Sequence, residues 1–407
     1  MDLKSGYPFW AVKNGLMHAF PKLAEDLHCD VVVIGGGITG ALIADELARH
    51  GQHVVVVERR EVGWGSSAAS TALLQYEIDT HMVDLAKRYG ENNAVLAYRA
   101  CADAITDLAA LADQLGDVDF GYQQSLYYAS GDEDLASLSE EYDLRRQHGF
   151  EADWLSREGL ENAFGIEAPG AILTHLAARV DPYRMAYKLF MRVDEHGGQV
   201  FDRTEVETVA ADSDGVTLST MAGYTLRCRQ LVVAAGYESQ RWLTESFAVN
   251  RSSYAFITDP IAPEALGRLA TTMVWESARP YLYMRTTGDG RLLVGGDDDD
   301  EDVPARRDQR VHDKAQGLAE KVESLFPALP MTPTFSWGGT FAETEDGLPF
   351  FGPHPQYGPR VLFAMAYGGN GISYSMIGAG LLRASIEGRD HPLSALFSFA
   401  RLRPATG

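Results

Sequence analysis

Gly35, Gly37, Gly40 and Glu58 are the residues whose types and spacing most directly suggest chemistry; they stand in DVVVIGGGITGALIADELARHGQHVVVVE, Asp30–Glu58. The glycines follow a short apolar run and open a segment with apolar residues at helical spacing. Gly51 ends that segment, and a second apolar run closes on an acid. In such a turn Gly35 permits the tight bend, Gly37 lets a pyrophosphate reach the backbone, and Gly40 lets the helix pack closely on the strand. Ile38 and Thr39 begin the helix, whose free N–H groups and positive dipole end suit phosphate. Glu58 is placed to accept hydrogen bonds from ribose hydroxyls. The pattern predicts a dinucleotide site.

The next residues distinguish the dinucleotides. RREVGWGSSAASTALL, 59–74, follows the acid at once with Arg59, then Gly65, Ser66 and Ser67, then Thr71 and Ala72. A loop of small and hydroxylated residues suits a second phosphate contact and a flat ring packed against backbone. LVVAAG, Leu231–Gly236, repeats the pattern of apolar strand into glycine and adds Ala235 and Gly236. Two such elements in one chain favour the longer FAD over NAD.

The elements that must hold these residues follow from composition and pattern. The 407 residues are long enough for two or more domains, with 45% hydrophobic and 23% charged composition. A formal net charge of −22 disfavours nucleic acid as a partner. Cys29, Cys101 and Cys228 are few, odd in number and widely spaced, so neither a disulfide framework nor a metal site is expected. MDLKSGYPFW has no signal-peptide pattern, and no apolar run approaches the roughly 18 residues of a spanning helix. A soluble, cytoplasmic protein is expected. The acidic run Asp297–Asp302 reads as a solvated loop.

Rossmann-like segments occur near the N-terminus, in the middle and near the C-terminus. Between them lie helical stretches at about 80–115 and 306–326 and strand-rich stretches, including a hairpin in YLYMRTTGDGRLLVGG. The expected organisation is a discontinuous cofactor domain, 1–88, 152–240 and 331–407, and a second domain, 89–151 and 241–330.

With these residues in place the chain resembles the superfamily of D-amino-acid oxidase, glycine oxidase and sarcosine oxidase. The resemblance runs nearly the whole length and is carried by Asp30–Glu58, GWGSSAAS, VDPYRM, LVVAAG, ETEDGLPFFGP and YGGNGISYSMIGAG. It implies an α/β fold: a Rossmann-like FAD-binding domain of the glutathione-reductase type with an inserted antiparallel-sheet substrate domain. It implies that Val206 meets the adenine through its backbone. It also implies that the loop Gly368–Gly371, with Gly369, Asn370, Gly371, Ile372 and Ser373, brings N–H groups to the flavin pyrimidine edge. Some relatives attach flavin covalently through a cysteine or histidine, and neither WGSSAAS nor ETEDGLPFFGP offers one. Non-covalent FAD is expected.

The same resemblance implies oxidation of a C–N bond of an amine or amino acid, giving an imine that hydrolyses. Amino-acid relatives hold the substrate carboxylate with a cation, for which the arginine fork is well shaped. Their anchor positions correspond here to Gln75, Ser373, and Phe341 or Ala342. Either Arg285 replaces the anchor, or the substrate is an amine with no carboxylate beside the reacting carbon. Tyr281 and Tyr283 alternate with Arg285 and line a pocket for a cation or pack in the core. The lysine that assists the reaction with oxygen in sarcosine oxidases is matched by Leu293. The acceptor therefore stays open between oxygen and another oxidant, as does the oligomeric state. Two other readings remain: a flavin dehydrogenase of a hydroxy acid, and a flavin-bearing subunit of a multi-chain dehydrogenase.

Overall fold

The computed structural model describes residues 2–301 and 303–402. Its first sheet is built from the three expected places. The strand order is Phe350–Pro353, Val361–Met365, Thr225–Val233, Leu27–Ile34, Val54–Val57, Gln199–Phe201. Leu27–Ile34 lies parallel to both neighbours, with Ile34 opposite Val57 on one side and Val233 on the other. Val31–Ile34 and Val54–Val57 are buried throughout, which explains apolar runs rather than alternation. The strands Val206–Ala211 and Val216–Thr220 extend this sheet as an antiparallel meander.

The helix Ile38–Arg49 packs between the outer helices Pro182–Glu195 and Gly371–Ile386. Ala41, Leu42, Ile43, Ala44 and Leu47 are therefore buried on more than one face. Asp181 caps the first of those outer helices by accepting the N–H of Arg184 at 2.9 Å, with Pro182 at the first helical position. The helical stretch at 80–115 is two helices, Met82–Tyr89 and Glu91–Leu115, broken at Gly90 with φ of 86°. A left-handed residue there ends one helix and redirects the next.

The second sheet has nine strands and is mainly antiparallel. It contains the expected hairpin, Leu282–Thr286 against Arg291–Asp299, with Arg285 opposite Leu293. It also contains Leu73–Gln75, Ala152–Ser156, Gly170–Arg179 and Phe335–Glu343. The expected boundaries placed those four strands with the cofactor domain, and this corrects them. Each is joined to the second sheet by its backbone ladder, which is invisible to composition.

Asp297–Asp299 also depart from the solvated loop expected of the acidic run. They belong to the strand Arg291–Asp299. Asp297 pairs with Lys314 and Lys321, Asp299 with Arg310 and Lys314, and Asp300 with Arg251. Asp302 lies outside the described residues.

Candidate functional site

The turn after Leu27–Ile34 has the construction expected of its glycines. Gly35 has φ of 124°, and a side chain on it would run into the carbonyl of Ala234. A Cβ on Gly40 would overlap the carbonyl oxygen of Gly35, so close helix–strand packing needs a glycine there. Gly37 caps the helix without a side-chain hydrogen bond. The Ile38 N–H donates to Ser67 Oγ at 2.8 Å, tying the helix start to the small-residue loop.

That loop is fastened from behind. The Trp10 and Trp337 indole N–H groups donate to the carbonyls of Ser70 and Ala69, at 2.7 and 2.8 Å. Ser66 Oγ is buried in this loop without a hydrogen-bond partner, and Ser66 lines the cavity beside the turn. An unpaired buried hydroxyl next to a helix start is a donor left for an anion.

Glu58 ends the strand Val54–Val57 and accepts the N–H groups of Gly36 and Arg60, at 2.7 and 2.8 Å. Burial raises its carboxyl above the usual range despite those two donors. Arg59 beside it pairs with Glu238 at 2.6 Å.

One continuous cavity joins these parts. At one end its wall is Glu58, Arg59 and Val206. It then passes Gly35, Gly37, Ile38 and Thr39, the loop residues Gly65, Ser66, Ser67, Thr71 and Ala72, and Ala235 and Gly236. Gly369, Asn370, Gly371 and Ile372 border it farther along. Thr39 Oγ1 and Ser375 Oγ are 2.8 Å apart, so the helix starts at Ile38 and Gly371 meet side by side. Asn370 Nδ2 donates to the carbonyls of Gln75 and Glu77, both at 2.9 Å, which fixes the C-terminal loop to the strand Leu73–Gln75. A cavity lined by a glycine turn at a helix start, a buried hydroxyl without a partner and an acid at the end of the neighbouring strand fits FAD chemically. Gly40 and Ser373 are not on the wall: Gly40 serves helix packing, and Ser373 is buried.

The far end is aromatic and acidic. Gln75, Asp79, Ser253, Trp275, Tyr281, Tyr283 and Asp298 line it, with Phe341 nearby. Trp275 stacks on Tyr127 with centroids 3.7 Å apart and donates its N–H to Ser125 Oγ at 3.0 Å. The Tyr281 and Tyr283 ring centroids are 5.5 Å apart. Gly295 leaves room for the Tyr283 ring, because a Cβ there would collide with it. Tyr281 and Tyr283 are thus wall residues rather than core.

Arg285 is not on that wall, which corrects its candidacy as an anchor. It is fully buried, and its guanidinium donates to the carbonyls of Thr71, Thr286 and Val180 at 2.7, 3.2 and 3.0 Å. Burial lowers its pKa to about 10. Strand alternation puts Tyr281 and Tyr283 on the face toward the cavity, but Arg285 lies past its end, under the Thr71 backbone. Leu293 is likewise a core residue. Sequence reasoning missed Trp275, Asp79 and Asp298; none belongs to a recognisable motif.

The chain is similar to known proteins along most of its length. The family model described as FAD dependent oxidoreductase (DAO) matches residues 30–384. A glycine oxidase of Geobacillus kaustophilus is 28% identical over 387 residues, spanning 92% of this chain and 97% of that protein. The gamma-glutamylputrescine oxidoreductase of Escherichia coli is 24% identical over 93% of this chain and 88% of its own length. The crystal structure of glycine oxidase from G. kaustophilus superposes with a TM-score of 0.78 at 23% identity, covering 93% of this chain and all of that one. The last likeness shows a shared fold.

Proposed function

The chain belongs to the DAO family of FAD-dependent oxidoreductases, and from that premise we propose that it oxidises the C–N bond of an amine with no carboxylate on the reacting carbon. Bound FAD would supply the hydride acceptor for that carbon, and water would hydrolyse the resulting imine. We read the cofactor as non-covalent.

The residues of the chain bind and orient. The turn Gly35–Gly40 and Ser66 would hold the pyrophosphate, Glu58 the ribose, and Val206 the adenine. The helix start at Gly371 would offer N–H groups and a positive dipole end to the flavin ring. Tyr281, Tyr283 and Trp275 would narrow the far end and exclude water from the reacting carbon.

The carrying observation is the charge of that far end. Asp79 and Asp298 line it, and the cations on the cavity wall, Arg59, Arg60 and Arg241, border the Glu58 end. A carboxylate beside the reacting carbon would meet two acids on the wall there, while the neighbouring Arg279 guanidinium lies over the Tyr281 ring. The same argument disfavours a hydroxy acid. The relative called gamma-glutamylputrescine oxidoreductase takes its name from a substituted diamine, which supports the reading. Oxygen or another acceptor completes the cycle.

Incubation of the FAD-loaded protein with a panel of amines, amino acids and hydroxy acids tests this. Release of ammonia or a shortened amine from the simple amines is expected. Turnover confined to α-amino acids or to hydroxy acids would overturn it.

A further inference from the structure

The Asp run is read by the fold one residue at a time. Ser252 faces Asp299 across the ladder and Tyr254 faces Gly296, so Asp297 and Asp298 together oppose the single residue Ser253. This is a β-bulge, and Asp297 takes the left-handed conformation it needs, with φ of 52°. Asp tolerates that conformation better than most residues, and Asp297 is further held by Lys314. Bulges re-aim side chains, and this one turns Asp298 away from the lysines and arginines that neutralise its neighbours.

Asp298 instead lines the aromatic end of the cavity. Its Oδ1 is shut off from solvent and has no hydrogen-bond partner. A buried carboxylate oxygen without a donor is costly, so its retention points to a donor that arrives with a ligand. The surrounding rings belong to Tyr281, Tyr283 and Trp275, whose faces attract cations.

We propose that Asp298 is the receptor for the substrate's ammonium group, and that the substrate is a cationic amine held between this carboxylate and the tyrosine and tryptophan rings. The inference rests on the amine reading above and adds the atom that recognises the nitrogen: the ammonium passes one proton to the Asp298 carboxylate, and the neutral amine left can then lose hydride from its carbon as the nitrogen lone pair forms the C=N bond. Asp79, held by the Gly369 N–H at 2.9 Å, contributes a second negative charge at the same end.

Recognition of this kind depends on pH. Burial pushes the Asp298 carboxyl up to about 7; the Ser253 hydroxyl and Arg279 pull it down, while Glu343 and Asp79 push it up. Tyr281 and Tyr283 also face it and stay protonated, Tyr283 being raised to about 12. Affinity for an ammonium therefore rises as pH climbs through the neighbourhood of 7, where Asp298 ionises.

The probe is tert-butylammonium, which has no hydrogen on the carbon next to nitrogen and cannot be oxidised. Its binding to the FAD-loaded protein is read from the visible flavin spectrum, against tert-butanol as the uncharged counterpart. Expected are a preference for the ammonium over the alcohol, tighter binding at pH 8 than at pH 6, and at least a tenfold weakening in Asp298→Asn. Alcohol binding should be unchanged in that variant. Equal binding of both probes by the native protein, or undiminished ammonium binding by Asp298→Asn, would overturn the proposal. The native comparison stands even if the variant does not fold. Cation selectivity without oxidation of any amine would instead count against the amine-oxidation reading and leave the receptor intact.

Discussion

Gly40 lies so close to Gly35 that a Cβ on it would overlap the Gly35 carbonyl oxygen. The contact joins the first turn of the helix Ile38–Arg49 to the end of the strand Leu27–Ile34, at the place where the cofactor phosphates are expected. Gly40→Ala must push the helix away from the strand. The expected result is protein purified largely without flavin and a lowered melting temperature, measured by absorbance and thermal unfolding. Retention of full flavin content would show that the turn can relax without loss.

Glu58 accepts two backbone N–H groups, from Gly36 and Arg60. In Glu58→Gln the amide NH2 must face one of those donors, which leaves a repulsive contact and one acceptor fewer for ribose. The dissociation constant for FAD should rise about tenfold, a loss of about 1.4 kcal/mol. Fluorescence of released flavin measures it.

The glycine turn was legible because each of its residues is fixed by a local steric need, and local needs leave a mark in sequence. Val31–Ile34 and Val54–Val57 were legible for the same reason, being buried on both faces. Asp298 was not. In Asp297–Asp302 six like-charged neighbours look alike, and what separates Asp298 is a bulge defined by the partner residue Ser253 some 45 positions away. Arg285 failed in the opposite direction. Its alternation with Tyr281 and Tyr283 is plain in YLYMR, but the carbonyls that consume its donors come from Thr71 and Val180, which no pattern near Arg285 announces.

That reassignment of Arg285 has its own test. Arg285→Met leaves the carbonyls of Thr71, Val180 and Thr286 without their donor, at a cost of about 1–3 kcal/mol for each group left unsatisfied. A lower melting temperature is expected, with no change in the preference between an amine and its α-carboxylated counterpart. Selective loss of activity on the carboxylated compound would restore Arg285 as an anchor.

Asp346 and Arg401 tie the segment GLPFFGP to the end of the chain. The buried Asp346 carboxylate takes Arg401 Nε at 2.7 Å, the Tyr89 hydroxyl at 2.6 Å and the Leu348 N–H at 3.1 Å. Burial alone would raise its pKa, but Arg401 and the two further donors outweigh it and hold the carboxyl below the usual range. A lowered folded pKa stabilises the fold fully above the unfolded carboxyl value of about 3.9 and loses that contribution as pH falls through the folded value. Arg401→Met should cost about 3–5 kcal/mol near neutrality. Urea unfolding should show the gap to the native chain closing as the pH drops below 4. A gap independent of pH would mean that packing, not the ion pair, is lost.

Amine oxidation at an acidic, aromatic cavity end can be followed by anaerobic mixing of the FAD-loaded protein with matched compounds. Flavin absorbance is followed with an amine, the same amine carrying a carboxylate on the reacting carbon, and the corresponding hydroxy acid. Bleaching by the amine is expected, with at least tenfold slower bleaching by the other two. Faster bleaching by either carboxylated compound would contradict it.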